Sequence, residues 1–143
     1  MSKGRIKKVL VPVDGSDCSR AALELACELA SEVGASVDAL SVVEVGDQSR
    51  NGAAASQSAR AQEAARTELH QFVLGAPHAG GQVIEHVDYG NPTERILAAV
   101  EQNRFDLIVM GTHGRTGRPR SLAGSVAESV VRMASCPVLT VRG

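Results

Sequence analysis

Short apolar runs along the chain alternate with longer stretches whose apolar residues recur at helical spacing. Ile6 to Val13 is rich in β-branched residues and reads as a strand. Asp14-Gly15-Ser16 breaks it, and Ser16 is suited to N-cap a helix by accepting from a free backbone N–H. That helix is expected over Asp17 to Val33, with Leu25, Leu29 and Val33 on one face, and Gly34 ends it. A second strand is expected over Ser36 to Val45. The polar stretch Gly46 to Gly52 reads as a loop. Ala53 to Leu74 is built of helix formers, with little apolar content before Leu69, Phe72 and Val73. Gly75 to Gly81 is a turn region, and Gln82 to Val87 is a third strand. Asn91-Pro92-Thr93-Glu94 carries an N-cap, a proline at the first helical position and a glutamate at N3. It opens a helix whose expected buried face holds Ile96, Leu97 and Val100. Phe105 to Met110 is a fourth strand, apolar except for Asp106, which reads as a turn residue. Gly111 to Ser121 shows no periodicity. Leu122 to Ala134 is a last helix with Leu122, Val126, Val130 and Met133 on one stripe. Cys136 to Val141 is a fifth strand, expected at a sheet edge.

Strands and helices that alternate at this spacing predict parallel strands joined by right-handed helical crossovers. The expected fold class is α/β: a doubly wound, five-stranded parallel sheet sandwiched by four helices. The absence of an internal repeat or low-complexity linker predicts one domain over 1–143. In such sheets ligands bind beyond the carboxyl ends of the strands, where the winding reverses. Strands one and four end at Asp14 and Met110, so chemistry is expected there.

Composition narrows the function. Aromatic residues make up 2% of the 143 residues, namely Phe72, Tyr89 and Phe105, so the core must be aliphatic. Fifteen Lys and Arg against sixteen Asp and Glu give a net charge of −1, which excludes a globally basic nucleic-acid binder. The scarcity of aromatics also argues against a single-strand binder, which needs stacking platforms. No stretch approaches the roughly 18 apolar residues of a membrane span. The first apolar run is too short for a signal segment, so a cytoplasmic location with no membrane partner is expected. Cys18, Cys27 and Cys136 form no CxxC pair and read as inert thiols. His70, His78 and His86 lack ligand spacing and read as surface residues, and His113 has no partner nucleophile.

The informative stretch runs from Met110 to Ser125. Gly111, Gly114 and Gly117 remove side chains, so backbone N–H groups can approach an anion. Gly124 and Ser125 fall in the first turn of the expected last helix, where free N–H groups and the helix dipole favour negative charge. From Leu107 to Ala127 there are three arginines, Arg115, Arg118 and Arg120, and no carboxylate. Together these features point to a phosphate site. It is not a P-loop, because no Lys-Ser/Thr follows the glycines at the required spacing, and the Rossmann GxGxxG is absent.

Gly111-x2-Gly114-x9-Gly124-Ser125 resembles the G-2x-G-9x-G-[S/T] signature of the ATP-binding universal stress proteins. Ile6 to Asp14, Gly124 to Glu128 and Cys136 to Val141 are similar to other stretches of that family, so the resemblance covers nearly the whole chain. Arg118-Pro119 and Ser121 depart from it, since relatives often carry apolar residues there. The resemblance implies a Rossmann-like domain of the adenine-nucleotide-α-hydrolase type. It implies that Asp14 hydrogen-bonds adenine or ribose, with Pro12 and Val13 beside it, and that Val42 lines the adenine pocket. Met110 and Gly111 would flank the ligand at the end of strand four, and the backbones of Gly111 and Gly114 would contact ribose and phosphates. Gly124, Ser125 and Val126 would hold the phosphates, with Arg115 as a further contact. ATP is the implied cofactor, with Mg²⁺ or Mn²⁺ bridged through its phosphates and no protein metal site. A homodimer through Val138 to Val141 is the implied assembly, with an unidentified protein partner.

No positioned general base accompanies the glycines, so robust catalysis is not expected and ATP hydrolysis is slow at most. Other readings remain open: a nucleotide-hydrolysing or nucleotidyl-transfer enzyme of similar topology, a flavin or phospho-receiver domain, or a partner-binding module that takes AMP or cyclic AMP. The enzyme class calls for a substrate domain, the flavin site for covering aromatics, and the receiver for an acidic cluster.

Overall fold

The computed structural model describes residues 5–44, 59–77, 82–112 and 126–142. The elements are β1 Lys8–Val13, α1 Asp17–Val33, β2 Ser36–Val43, α2 Ala59–Leu74, β3 Val83–Tyr89, α3 Pro92–Asn103, β4 Leu107–Gly111, α4 Val126–Met133 and β5 Val138–Val141. The strands form one sheet in the order β3-β2-β1-β4-β5, with every neighbouring pair parallel. This is the doubly wound five-stranded sheet with four helices. β5 lies at one edge and β3 at the other.

Side chains that alternate along β1 divide the core into two layers. Val9, Val11 and Val13 pack against Ala22, Leu23 and Ala26 of α1 and Leu69 and Val73 of α2. Leu10 faces the opposite way, with Leu40, Ile96 and Val100 of α3, Met110, and Val130 of α4. Leu107, Ile108, Val109 and Met110 of β4 are all buried, as an apolar strand covered on both faces requires.

The helix caps form where local chemistry dictates. The Ser16 side chain accepts from Ser19 N, and Gly34 closes α1 in the left-handed conformation at φ 77°. Asn91 Oδ1 accepts from Glu94 N at 2.9 Å, with Pro92 in the first turn.

The buried faces of two helices differ from the expected stripes. Leu25 and Leu29 are only half-buried and Val33 is exposed, while Ala22, Leu23, Ala26 and Ala30 face the core. The small side chains of Ala22, Ala26 and Ala30 let α1 lie close to the sheet, and of its leucines Leu23 alone is fully buried. On α4, Ala127 and Val130 are buried, Val126 is half-buried and Met133 is exposed. The expected positions 45, 53–58 and 122–125 lie outside the described residues. β1 starts at Lys8 rather than Ile6, and β5 at Val138 rather than Cys136. β3 extends past Val87 to Tyr89.

Asp106 does more than turn the chain. Its Oδ2 accepts from Lys7 N at 2.9 Å and Lys8 N at 3.0 Å, and its own N–H donates to Lys8 O. The carboxylate thereby satisfies the backbone where β1 begins beside β4.

Candidate functional site

β1 and β4 are neighbours, yet the helices that follow them lie on opposite faces of the sheet. In a doubly wound sheet this reversal makes the carboxyl ends of β1 and β4 the switch point, beyond which ligands bind. Val13-Asp14 forms one side and Gly111-Thr112 the other.

Asp14 is built into the turn that starts α1. Its Oδ1 accepts from Ser16 N at 3.0 Å and from Ser16 Oγ at 2.5 Å. Ser19 N donates to Ser16 Oγ at 3.2 Å, and Ser19 Oγ donates to Ser16 O at 3.1 Å. Gly15 occupies the left-handed region at φ 84°, which this tight turn requires. The carboxylate is half-buried and held by Ser16 at the carboxyl end of β1.

The structure brings Pro12, Val13, Asp14, Met110 and Gly111 to this one end of the sheet. Val13 is buried against the α1 layer, whereas Val42 packs on the α3 and α4 layer. The two valines expected beside an adenine therefore stand on opposite faces of the sheet. Val126 is half-buried at the start of α4. Gly114, Arg115, Gly124 and Ser125 lie outside the described residues, as does His113.

Gly111 has a packing role that the phosphate argument did not supply. A Cβ there would meet Cys18 Sγ at 2.8 Å and the Cys18 backbone carbonyl carbon at 2.9 Å. The missing side chain lets the first turn of α1 abut the end of β4.

Two other contacts escaped the sequence reading. His86 Nε2 lies 2.7 Å from Asp38 Oδ2, and Asp38 is buried. His86 is a surface residue, as expected, and it is also paired with a buried carboxylate. Signals for this pair were weak, because the residues are 48 positions apart. The other contact joins Cys18 to Val141. A groove of about 190 Å³ runs beside α3, lined by residues that include Leu40, His86, Asp88, Arg95 and Phe105. None of the residues expected to hold a nucleotide lines it.

The cysteines are all free thiols, with Cys18 and Cys27 buried and Cys136 half-buried. Burial, reinforced by Glu24, pushes the Cys27 thiol above its ordinary pKa. Burial, then Asp106 and Glu101, does the same to Cys136. A raised pKa leaves less thiolate near neutrality, so both should label slowly with a disulfide reagent at pH 8 and faster as the pH rises. Stopped-flow labelling of single-cysteine variants checks this; a rate matching a free thiol at pH 8 contradicts it.

The family model described as "Universal stress protein family" matches residues 5–142. The chain belongs to the universal stress protein family. This universal stress protein is 37% identical over 139 residues to universal stress protein MJ0531 of Methanocaldococcus jannaschii, covering 95% of this chain and 82% of the relative. Among solved structures, the MJ0577 protein superposes with a TM-score of 0.81 at 26% identity, covering 97% of each chain. A universal stress protein solved in complex with cAMP superposes with a TM-score of 0.74 at 22% identity, covering 96% of this chain and 97% of that one. No helix among the described residues is long and apolar enough to cross a membrane.

Proposed function

We propose that this universal stress protein binds an adenine nucleotide, ATP foremost, in the crevice between β1 and β4, and acts as a nucleotide-regulated stress-response module in the cytoplasm. The observation that carries this is the junction at Gly111. There the sheet's switch point meets the start of a segment with three arginines and no carboxylate. Asp14 and Pro12 stand on the β1 side of the ligand and Met110 on the β4 side. The G-2x-G-9x-G-Ser spacing of Gly111, Gly114, Gly124 and Ser125 supports phosphate binding, with Arg115 adding charge. Val42 and Val126 complete the apolar and helix-terminal parts. The related structure with cAMP supports a nucleotide more broadly than ATP, so AMP and cyclic AMP compete as ligands.

Among the described residues no group of three or more His, Cys, Asp or Glu could hold a metal. Mg²⁺ or Mn²⁺ would be carried by the phosphate oxygens of the ligand, whose charge it would offset. This reading makes the nucleotide a regulator that shifts conformational populations. The exposed edge strand β5, with Leu139 37% exposed, supports pairing with a second copy through Val138–Val141.

Mass spectrometry of the ligand released from freshly purified protein, followed by equilibrium binding of ATP, AMP and cyclic AMP, tests the proposal. ATP binding should weaken by more than about tenfold in Gly114→Val, equivalent to roughly 1.4 kcal/mol. Absence of binding by the unaltered chain removes the nucleotide reading. Rapid multiple turnover of ATP favours an enzyme instead.

A further inference from the structure

One carbonyl, Val141 O, joins three elements. Thr112 N donates to it at 3.0 Å, which closes the pairing of β4 with β5. Cys18 Sγ donates to the same oxygen, also at 3.0 Å, from 123 residues away in sequence. Cys18 is buried in the first turn of α1 and also fills the space beside Gly111, where a Cβ would come within 2.9 Å of its own Cβ. One small side chain therefore touches the end of β5 and the residue at which the chain leaves β4.

We propose that Cys18 is a positioning residue: it fixes the backbone of Gly111 and Thr112 against Asp14 at the mouth of the crevice and so sets nucleotide affinity. The inference rests on the nucleotide reading above. Its physical basis is twofold. The thiol fills the space beside Gly111, where a larger side chain would meet the β4 backbone. Its S–H donates to the Val141 carbonyl beside Thr112 N–H and, at a longer 3.5 Å, the Thr112 hydroxyl, which pins that oxygen from the α1 side. Asp14, on the opposite side, is fixed by Ser16 in the turn just before Cys18. The short stretch from Ser16 to Cys18 at the start of α1 thus sets both sides of the crevice.

The test uses Cys18→Ala, which loses the donor, and Cys18→Ser, which keeps one. ATP affinity should fall about fivefold in Cys18→Ala, in the range of a lost hydrogen bond, and return to within about twofold of the original in Cys18→Ser. Melting temperature is measured in parallel, because a merely structural role would move it without this rescue of affinity. Affinity unchanged in Cys18→Ala, or equal weakening in both variants, overturns the proposal. Amide hydrogen exchange at Thr112 in ligand-free protein separates this from the nucleotide reading. Exchange about tenfold faster in Cys18→Ala supports the brace even if ATP, AMP and cyclic AMP all fail to bind; an unchanged exchange rate overturns it.

Discussion

Gly111→Val should destabilise the domain by about 3 kcal/mol, the upper part of the usual cost of overpacking. Strand propensity alone predicts the opposite, since valine suits a buried parallel strand better than glycine. The geometry decides the sign. The added Cβ would lie 2.8 Å from Cys18 Sγ and 2.9 Å from both the Cβ and the carbonyl carbon of Cys18. A side chain can rotate away, but the carbonyl carbon belongs to the first turn of α1. Relief requires the helix to move off β4, which opens the layer around Val11, Val13 and Ala22. Urea unfolding should show the loss, with a fall in melting temperature of roughly 10 °C. Adding Cys18→Ala removes only the sulfur contact, so it should recover less than half of the stability. A Gly111→Val protein as stable as the original contradicts the packing argument.

His86→Ala should cost about 2 kcal/mol of stability, less than a fully buried ion pair because the imidazole is half in water. Asp38 is 6% exposed and sits mid-strand on β2. Its Oδ2 meets His86 Nε2 at 2.7 Å, and its Oδ1 has no hydrogen-bond partner among the described residues. Without the imidazole, the buried carboxyl loses this hydrogen bond, and desolvation goes uncompensated. Replacing both residues by leucine removes the polar groups together and should be far less damaging than the single change. A double-mutant cycle by urea unfolding measures the coupling, expected to be at least about 1 kcal/mol. Additive effects of the two substitutions would show that the pair does not act as a unit.

The two sites illustrate what can be read from a linear chain. Ser16, Gly34 and Asn91 were legible as caps because each acts on a backbone group within a few residues, and Pro92 as a first-turn residue because its φ is preset. The parallel sheet was legible because strands and helices alternate at crossover spacing. The switch point followed from where β1 and β4 end. The core face of α1 was not legible from Leu25, Leu29 and Val33. Size alone cannot tell a helix that stands off the sheet from one that lies close on Ala22, Ala26 and Ala30. Asp38 interrupts an apolar strand without any local sign of a partner. Gly111 looked like a glycine reserved for a ligand, and the structure gives it a neighbour in α1.

By itself the sequence determined the element order, the caps, the parallel topology and the charge pattern that follows Gly111. All of these depend on residues near one another in the chain or on simple periodicity. Only the tertiary structure decided which helix faces are buried, which carboxylate braces β1 against β4, and which imidazole partners Asp38. It also placed one thiol between Gly111 and Val141. Those choices join residues tens to more than a hundred positions apart, and only the packing of helices on a common sheet fixes their separation.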